Sequence, residues 1–245
     1  MARLQNKTAV VTGGTTGIGF ESAKLFIAEG ARVIITGRNE ARLAEAVESL
    51  GANAIGVKAD VQSLADIDQL VTRVQAEFGE LDILFANAGV AKRALLRDVT
   101  EADFDQEITI NLKGVFFTVQ KLEPLMKNGS SVILNTTTLA QTALPGEGVY
   151  SASKAAVRSL ARSFSLELLD RQIRVNAVAP GAIETPIWSK MELPPEVAEH
   201  VLSRAPIGRF GKPEEIAKVV LFLASDDSSY MLGEEILIDG GWATL

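Results

Sequence analysis

Thr8-Ala9-Val10-Val11-Thr12-Gly13-Gly14-Thr15-Thr16-Gly17-Ile18-Gly19 is the stretch on which the fold turns. Its first five residues are short, apolar and β-branched, the pattern of a buried strand. Phe20, Ala23, Lys24, Leu25 and Ile27 follow at helical spacing. A glycine turn between a strand and a helix is a context that suits a phosphate. Glycine lets the backbone approach closely, and the helix N-terminus offers free N–H groups and the positive end of a dipole. The spacing is Gly-x-x-x-Gly-x-Gly rather than the commoner Gly-x-Gly-x-x-Gly.

Working outward, the strand–helix unit repeats. Gly30 closes the first helix, and Arg32-Val33-Ile34-Ile35-Thr36-Gly37-Arg38 gives a second strand. Folds that bind NAD often carry an acid at the end of this strand for the ribose hydroxyls. Here Gly37 takes that place and Arg38 follows, with Asn39 after it. A missing acid and a guanidinium together point to the 2′-phosphate of NADP(H). Further strands are expected at Ala54–Ala59, Leu81–Ala86, Ser131–Asn135, Arg174–Ala179 and Glu235–Ile238, with helices between them, including Asn39–Leu50 and Leu64–Phe78. Asp60 and Val61 end the third strand. Asp60 either accepts from an adenine amino group or caps the next helix.

Asn87-Ala88-Gly89 ends the fourth strand, and Thr136-Thr137-Thr138 ends the fifth. Phe104–Met126 reads as two helices or one kinked helix. Asn111 inside it either satisfies backbone groups or does chemistry. Alternating strands and helices predict an α/β fold: a doubly wound, seven-stranded parallel sheet with helices on both faces, one domain over 1–245. Ligands then bind at the carboxyl edge of the sheet, where these motifs converge. The segment around 186–212, rich in proline, reads as a substrate lid inserted over the cleft.

Tyr150-Ser151-Ala152-Ser153-Lys154 supplies the chemistry. Residues four apart on a helix share a face. An ammonium beside a phenol is expected to lower a pKa that is otherwise about 10. That gives a proton donor and acceptor for carbonyl–alcohol interconversion.

Composition excludes several other classes. The 245 residues are 47% hydrophobic with a net charge of −7, which argues against nucleic acid or an anionic membrane as partner. There is no cysteine and one histidine, so no thiolate metal site or histidine cluster is expected, and no metal is assigned. The N-terminus lacks an apolar signal core, and no apolar run nears the ~20 residues that span a bilayer. A cytoplasmic protein is expected.

Together, these motifs resemble the short-chain dehydrogenase/reductase family, from Thr8 to Gly241. Thr12-Gly13-x-x-x-Gly17-Ile18-Gly19, Asn87-Ala88-Gly89, Asn111, Tyr150-x-x-x-Lys154, Pro180-Gly181 and Asp239-Gly240-Gly241 stand in the family's order. The resemblance implies Tyr150 as general acid or base, with Lys154 lowering its pKa and holding the nicotinamide ribose. Asn111 would bind a relay water. Gly13, Thr15, Thr16, Gly17, Ile18 and Gly19 would line the phosphates and ribose, Asp60 and Val61 the adenine, and Asn87, Ala88 and Gly89 the adenosine side. Ile183 and Thr185, after Pro180-Gly181, would meet the carboxamide. The family's usual serine, thirteen residues before the tyrosine, is Thr137 here. It keeps a hydroxyl donor, adds a methyl and narrows the pocket.

The implied activity is an NADP(H)-dependent carbonyl reductase or alcohol dehydrogenase, in a homotetramer. The substrate wall is expected to include Leu139, Leu144, Val149, Ile187 and Trp188, which suits an apolar ketone. Two rivals are a 3-oxoacyl-[acyl-carrier-protein] reductase docking its carrier on Lys92, Arg93 and Arg97, and a cofactor-binding regulator without turnover.

Overall fold

The computed structural model describes residues 2–185, 199 and 202–245. The seven strands are β1 (Thr8–Val11), β2 (Arg32–Gly37), β3 (Ala54–Lys58), β4 (Leu81–Ala86), β5 (Met126–Asn135), β6 (Arg174–Pro180) and β7 (Glu235–Ile238). They form one sheet in the order β3-β2-β1-β4-β5-β6-β7. Every pairing is parallel. The order reverses direction between β1 and β4, so crossovers leave on opposite faces there and open a crevice at the strand ends.

Seven helices of eight residues or more are described: α1 (Gly17–Ala28), α2 (Glu40–Leu50), α3 (Leu64–Phe78), α4 (Glu101–Ile108), α5 (Gly114–Leu122), α6 (Gly148–Glu167) and α7 (Pro213–Ala224). Strand side chains alternate between two cores. Ala9, Val11, Val33, Ile35 and Phe85 pack with α1, α2 and α7 residues such as Phe26, Leu43 and Val220. Val10, Ile34, Leu84 and Val132 pack with α3, α5 and α6 residues such as Leu70, Val119 and Val157. Both faces being buried explains why these strands read as near-continuous apolar runs.

Helix boundaries follow local caps. Asn39, Ser63 and Thr100 each accept a backbone N–H from the third residue beyond. The cap at Thr100 starts α4 at Glu101, three residues before the expected Phe104. The ambiguity over 104–126 resolves as α4 and α5 joined by a π-helical turn, Thr109–Lys113, with Asn111 in it. Such turns cluster at functional sites.

Most of the expected lid (186–198, 200 and 201) lies outside the described residues, together with Ile187 and Trp188. No described helix is long and apolar enough to cross a membrane.

Candidate active site

A cavity of about 400 Å³ lies at the carboxyl edge of the sheet, lined from Gly13 at one end to Trp242 at the other. Its first half is made largely of turn backbone. Gly13 and Gly17 adopt φ of 65° and 57°, which L side chains rarely do. Thr16 caps α1 without a side-chain bond, and no acid occupies the first turn, so that helix end keeps its N–H groups and positive field for an anion. Thr15, Thr16, Gly17 and Ile18 all line the cavity.

Gly19 does not. A Cβ there would sit 2.4 Å from the Gly13 carbonyl oxygen and 2.6 Å from Asn87 Nδ2, so Gly19 serves close packing of the turn rather than ligand contact. Asn87 braces the same turn, donating to the Thr12 and Gly13 carbonyls at 3.0 and 3.2 Å. It also lines the cavity with Ala88 and Gly89.

At the end of β2, Arg38 and Asn39 line the cavity, and so does Arg42, which the sequence reading missed. A second arginine four residues on was the available signal, with Arg38 in the turn before α2 and Arg42 in its first turn. Arg38 stays mostly exposed and lies 3.8 Å from Asp60 Oδ2. Asp60 accepts from the Gln62 backbone N–H at 3.0 Å, and the Asp60 N–H itself is held by Asp66. The helix that follows is capped by Ser63, so Asp60 is not its cap. Asp60 and Val61 form the wall opposite Arg38.

This half fits a dinucleotide. It offers a glycine cradle, an uncapped helix end and paired guanidinium groups. Asn135 Oδ1 adds a buried acceptor without a partner on the cavity wall. Pro180, Gly181, Ile183 and Thr185 continue the wall past the centre.

The second half is built around the start of α6. Tyr150, Lys154 and Thr137 all face the cavity. Of the three threonines ending β5, Thr136 donates to the Val178 carbonyl at 2.8 Å and Thr138 to Asp239 at 2.8 Å. Their hydroxyls are committed to the sheet and the C-terminal turn. Thr137 is the one left to hydrogen-bond Tyr150. Lys154 is buried and donates to the Asn135 carbonyl at 2.7 Å. Burial lowers its pKa to about 8.

One expectation is corrected here. Tyr150 is not lowered by Lys154: burial pushes the phenol above its ordinary value, the Thr137 hydrogen bond opposes this, and the Glu147 and Glu107 charges add to it. The ammonium sits 6.0 Å from the phenol ring centre and spends a hydrogen bond on Asn135. Asn111 is fully buried and satisfies backbone. It accepts from Val90 N–H at 2.9 Å and donates to the Val90 carbonyl at 2.8 Å and to Ser153 Oγ at 3.1 Å. It holds the loop after β4 against α6, beside Lys154: a Cβ on Gly89 would lie 3.2 Å from Asn111 Oδ1 and 3.3 Å from Lys154 Nζ.

Leu139 and Leu144 line the substrate end as expected, whereas Val149 is not among the wall residues. Glu147 and Trp242 take part instead. Neither carried a sequence signal. Trp242 comes from the far end of the chain, positioned because Asp239 accepts from the Gly241 and Ala243 N–H groups, both at 2.9 Å.

Residues 13–243 match a sequence family described as enoyl-(acyl carrier protein) reductase. A crystal structure of a short-chain type dehydrogenase/reductase from Mycobacterium marinum superposes with a TM-score of 0.93 at 31% identity, covering 99% of this chain and 97% of that one. This chain belongs to the short-chain dehydrogenase/reductase family. It is an oxidoreductase of that family. Oxidoreductase asL5 of Sarocladium schorii is 45% identical over 245 residues, 99% of this chain and 98% of that protein. The 3-oxoacyl-[acyl-carrier-protein] reductase FabG of Thermotoga maritima is 44% identical, covering 98% of each. In this short-chain dehydrogenase/reductase, the family's tyrosine and lysine share one cavity with a hydroxyl from β5.

Proposed function

We propose that the protein interconverts a ketone or aldehyde and an alcohol with NADP(H). The observation that carries this reading is the convergence of Tyr150, Thr137 and Lys154 in one cavity with an anion cradle at its other end. With its phosphates in that cradle, a nicotinamide dinucleotide would supply or take up the hydride beside Tyr150.

The protein's own residues do the rest. Thr137 donates a hydrogen bond to the substrate oxygen, where negative charge develops, an interaction worth a few kcal/mol in such a site. Tyr150 gives that oxygen a proton in reduction and takes it back in oxidation. Its raised pKa keeps it protonated and ready as an acid in the unliganded protein. Lys154, buried and held at Asn135, would bond the nicotinamide ribose hydroxyls. Asn111 positions the loop and α6. Arg38 and Arg42 hold the 2′-phosphate and so select NADP(H) over NAD(H).

We further propose a homotetramer that works in the cytoplasm. Leu166 on α6 is 76% exposed and Phe104 on α4 is 47% exposed, apolar surface that a second copy would cover. Light scattering on the purified protein measures the assembly.

The relative FabG supports a second reading, action on a carrier-linked thioester. The proposed docking cations are less available than the sequence suggests. Lys92 pairs with Asp103, Arg97 lies 3.7 Å from Asp98, and Arg93 turns to the Pro145 carbonyl at 3.3 Å. NADPH and NADH oxidation, measured with simple ketones, diketones and 3-oxoacyl thioesters, tests both readings with Tyr150→Phe as the blank. Turnover by the wild type that vanishes in the blank is expected. NADPH binding without consumption would instead indicate a regulator.

A further inference from the structure

Two polar atoms at the substrate end have no partner among the described residues: Glu147 Oε2 and Trp242 Nε1. Both side chains line the catalytic cavity, and the two residues are 4% and 8% exposed. Glu147 stands at the N-cap of α6, where an acidic side chain ordinarily bonds the free N–H groups of its own helix. It makes no such bond. Its side chain lines the cavity, as do Leu144, Tyr150 and Trp242. Leaving a buried acid unpaired is costly, and native proteins rarely do so without a function. Burial and the neighbouring Glu107 charge raise its pKa to about 7, against the opposing pull of Arg93.

We propose that Glu147 selects the substrate by accepting a hydrogen bond from a hydroxyl group carried close to the reacting carbon, with Trp242 donating to an oxygen of the same substrate. The inference rests on Tyr150 serving the reacting carbonyl oxygen. Glu147 caps the helix whose third residue is Tyr150, and both side chains line the same cavity. A group read by Glu147 therefore lies within a few bonds of the carbon whose oxygen Tyr150 serves. A hydroxyl fits better than an ammonium. It donates to the carboxyl in either protonation state, and Leu139, Leu144 and Trp242 form walls in which a cation would be poorly solvated. The favoured substrates are hydroxyketones and, in the reverse direction, diols, rather than the plain apolar ketones that the leucines alone suggest.

The test compares 3-hydroxy-2-butanone with 2-butanone as NADPH-linked substrates of the wild type, Glu147→Leu and Glu147→Gln. The difference in intrinsic reactivity between the two ketones is common to all three proteins, so the change in the ratio of kcat/KM isolates the contact. A site that hydrogen-bonds a hydroxyl discriminates against the analogue lacking it by roughly tenfold or more. Glu147→Leu is expected to cut the ratio by about that factor, and Glu147→Gln, which keeps an acceptor, to retain most of it. Trp242→Phe is expected to lower the ratio by a smaller factor. A wild-type ratio near one, or one that Glu147→Leu leaves intact, overturns the inference. Calorimetric binding of 2,3-butanediol and 2-butanol to the protein with saturating NADPH separates the two levels of the argument. Diol-selective binding lost in Glu147→Leu, without turnover of either ketone, would sink the proposed reaction and sustain the hydroxyl site. Equal binding of the two alcohols would sink the site, whatever the turnover.

Discussion

The two ends of the cavity treat their polar atoms in opposite ways. At the dinucleotide end, the side chains are mostly committed: Asn87 to the glycine turn, Asn39 to the cap of α2, Asp60 to Gln62. What remains open there is backbone, at the start of α1, and two guanidinium groups. At the substrate end the wall is carried by side chains instead, Thr137 and Tyr150 bonded to each other and Glu147 Oε2 and Trp242 Nε1 left open among the described residues. A ligand shared by many proteins is held by turn geometry, which local sequence encodes. A particular substrate is read by side chains brought together from distant parts of the chain.

If the two ends are separable, substitutions at one end should move cofactor binding and at the other the chemical step. The largest effect is expected for Tyr150→Phe: kcat falls about a thousandfold, the size of a lost general acid, while the NADPH dissociation constant changes by less than about threefold. A comparable loss of NADPH affinity would break the separation.

Thr137→Val should lower kcat about a hundredfold by removing one donor to the developing charge. Thr137→Ser should return it to within a few-fold. If a valine enzyme kept full activity, Thr136 or Thr138 would have to leave its present partner.

Arg38→Asp tests the other end. Its NADPH affinity should fall by about ten- to a hundredfold, with little change for NADH, since a charge-assisted contact to phosphate is lost. Fluorescence titration with both cofactors reads the ratio, and an unchanged ratio would remove Arg38 from the site.

Gly19→Ala should destabilise the protein by about 2 kcal/mol in urea unfolding, because the added methyl meets the Gly13 carbonyl. This would mark Gly19 as part of the frame of the cradle and not its lining.

The smallest effect concerns pH. Glu147 holds its proton more tightly in the folded protein than in the unfolded chain. Its contribution to stability is therefore fully present below the ordinary value of 4.5 and is lost as pH rises to about 7. Glu107, also raised by burial, acts in the same direction. Glu147→Gln should flatten the stability curve across that window by about 1–2 kcal/mol, less than the shift alone implies because solvent reaches the cavity. A slope unchanged in the glutamine variant would show that the carboxylate is stabilised in a way the contacts do not reveal.

Much of the architecture was legible because it is periodic and local. Apolar runs marked the strands, and Asn39 stood at the start of its helix, whereas the cap of α3 proved to be Ser63 and not Asp60. The anion cradle was legible too, since glycines at fixed spacing constrain a few adjacent dihedrals. Asn111 was visible as an amide in an apolar stretch, but its two possible roles were separated only by its contacts with Val90 and Ser153. Thr137 was set apart from its neighbours by their partners on β6 and in the C-terminal turn.

Local sequence patterns specified the order of strands and helices, the glycine turn after β1, the basic end of β2 and the Tyr150–Lys154 pair. Each of these rests on spacing within a helix, a strand or a turn. Long-range packing decided that Glu147, at the start of α6, is buried with one carboxyl oxygen that has no partner among the described residues. It also decided that Trp242 closes the wall beside it and that Tyr150 is raised rather than lowered. Burial is a collective property of distant segments packed together, so no local pattern of residues specifies it.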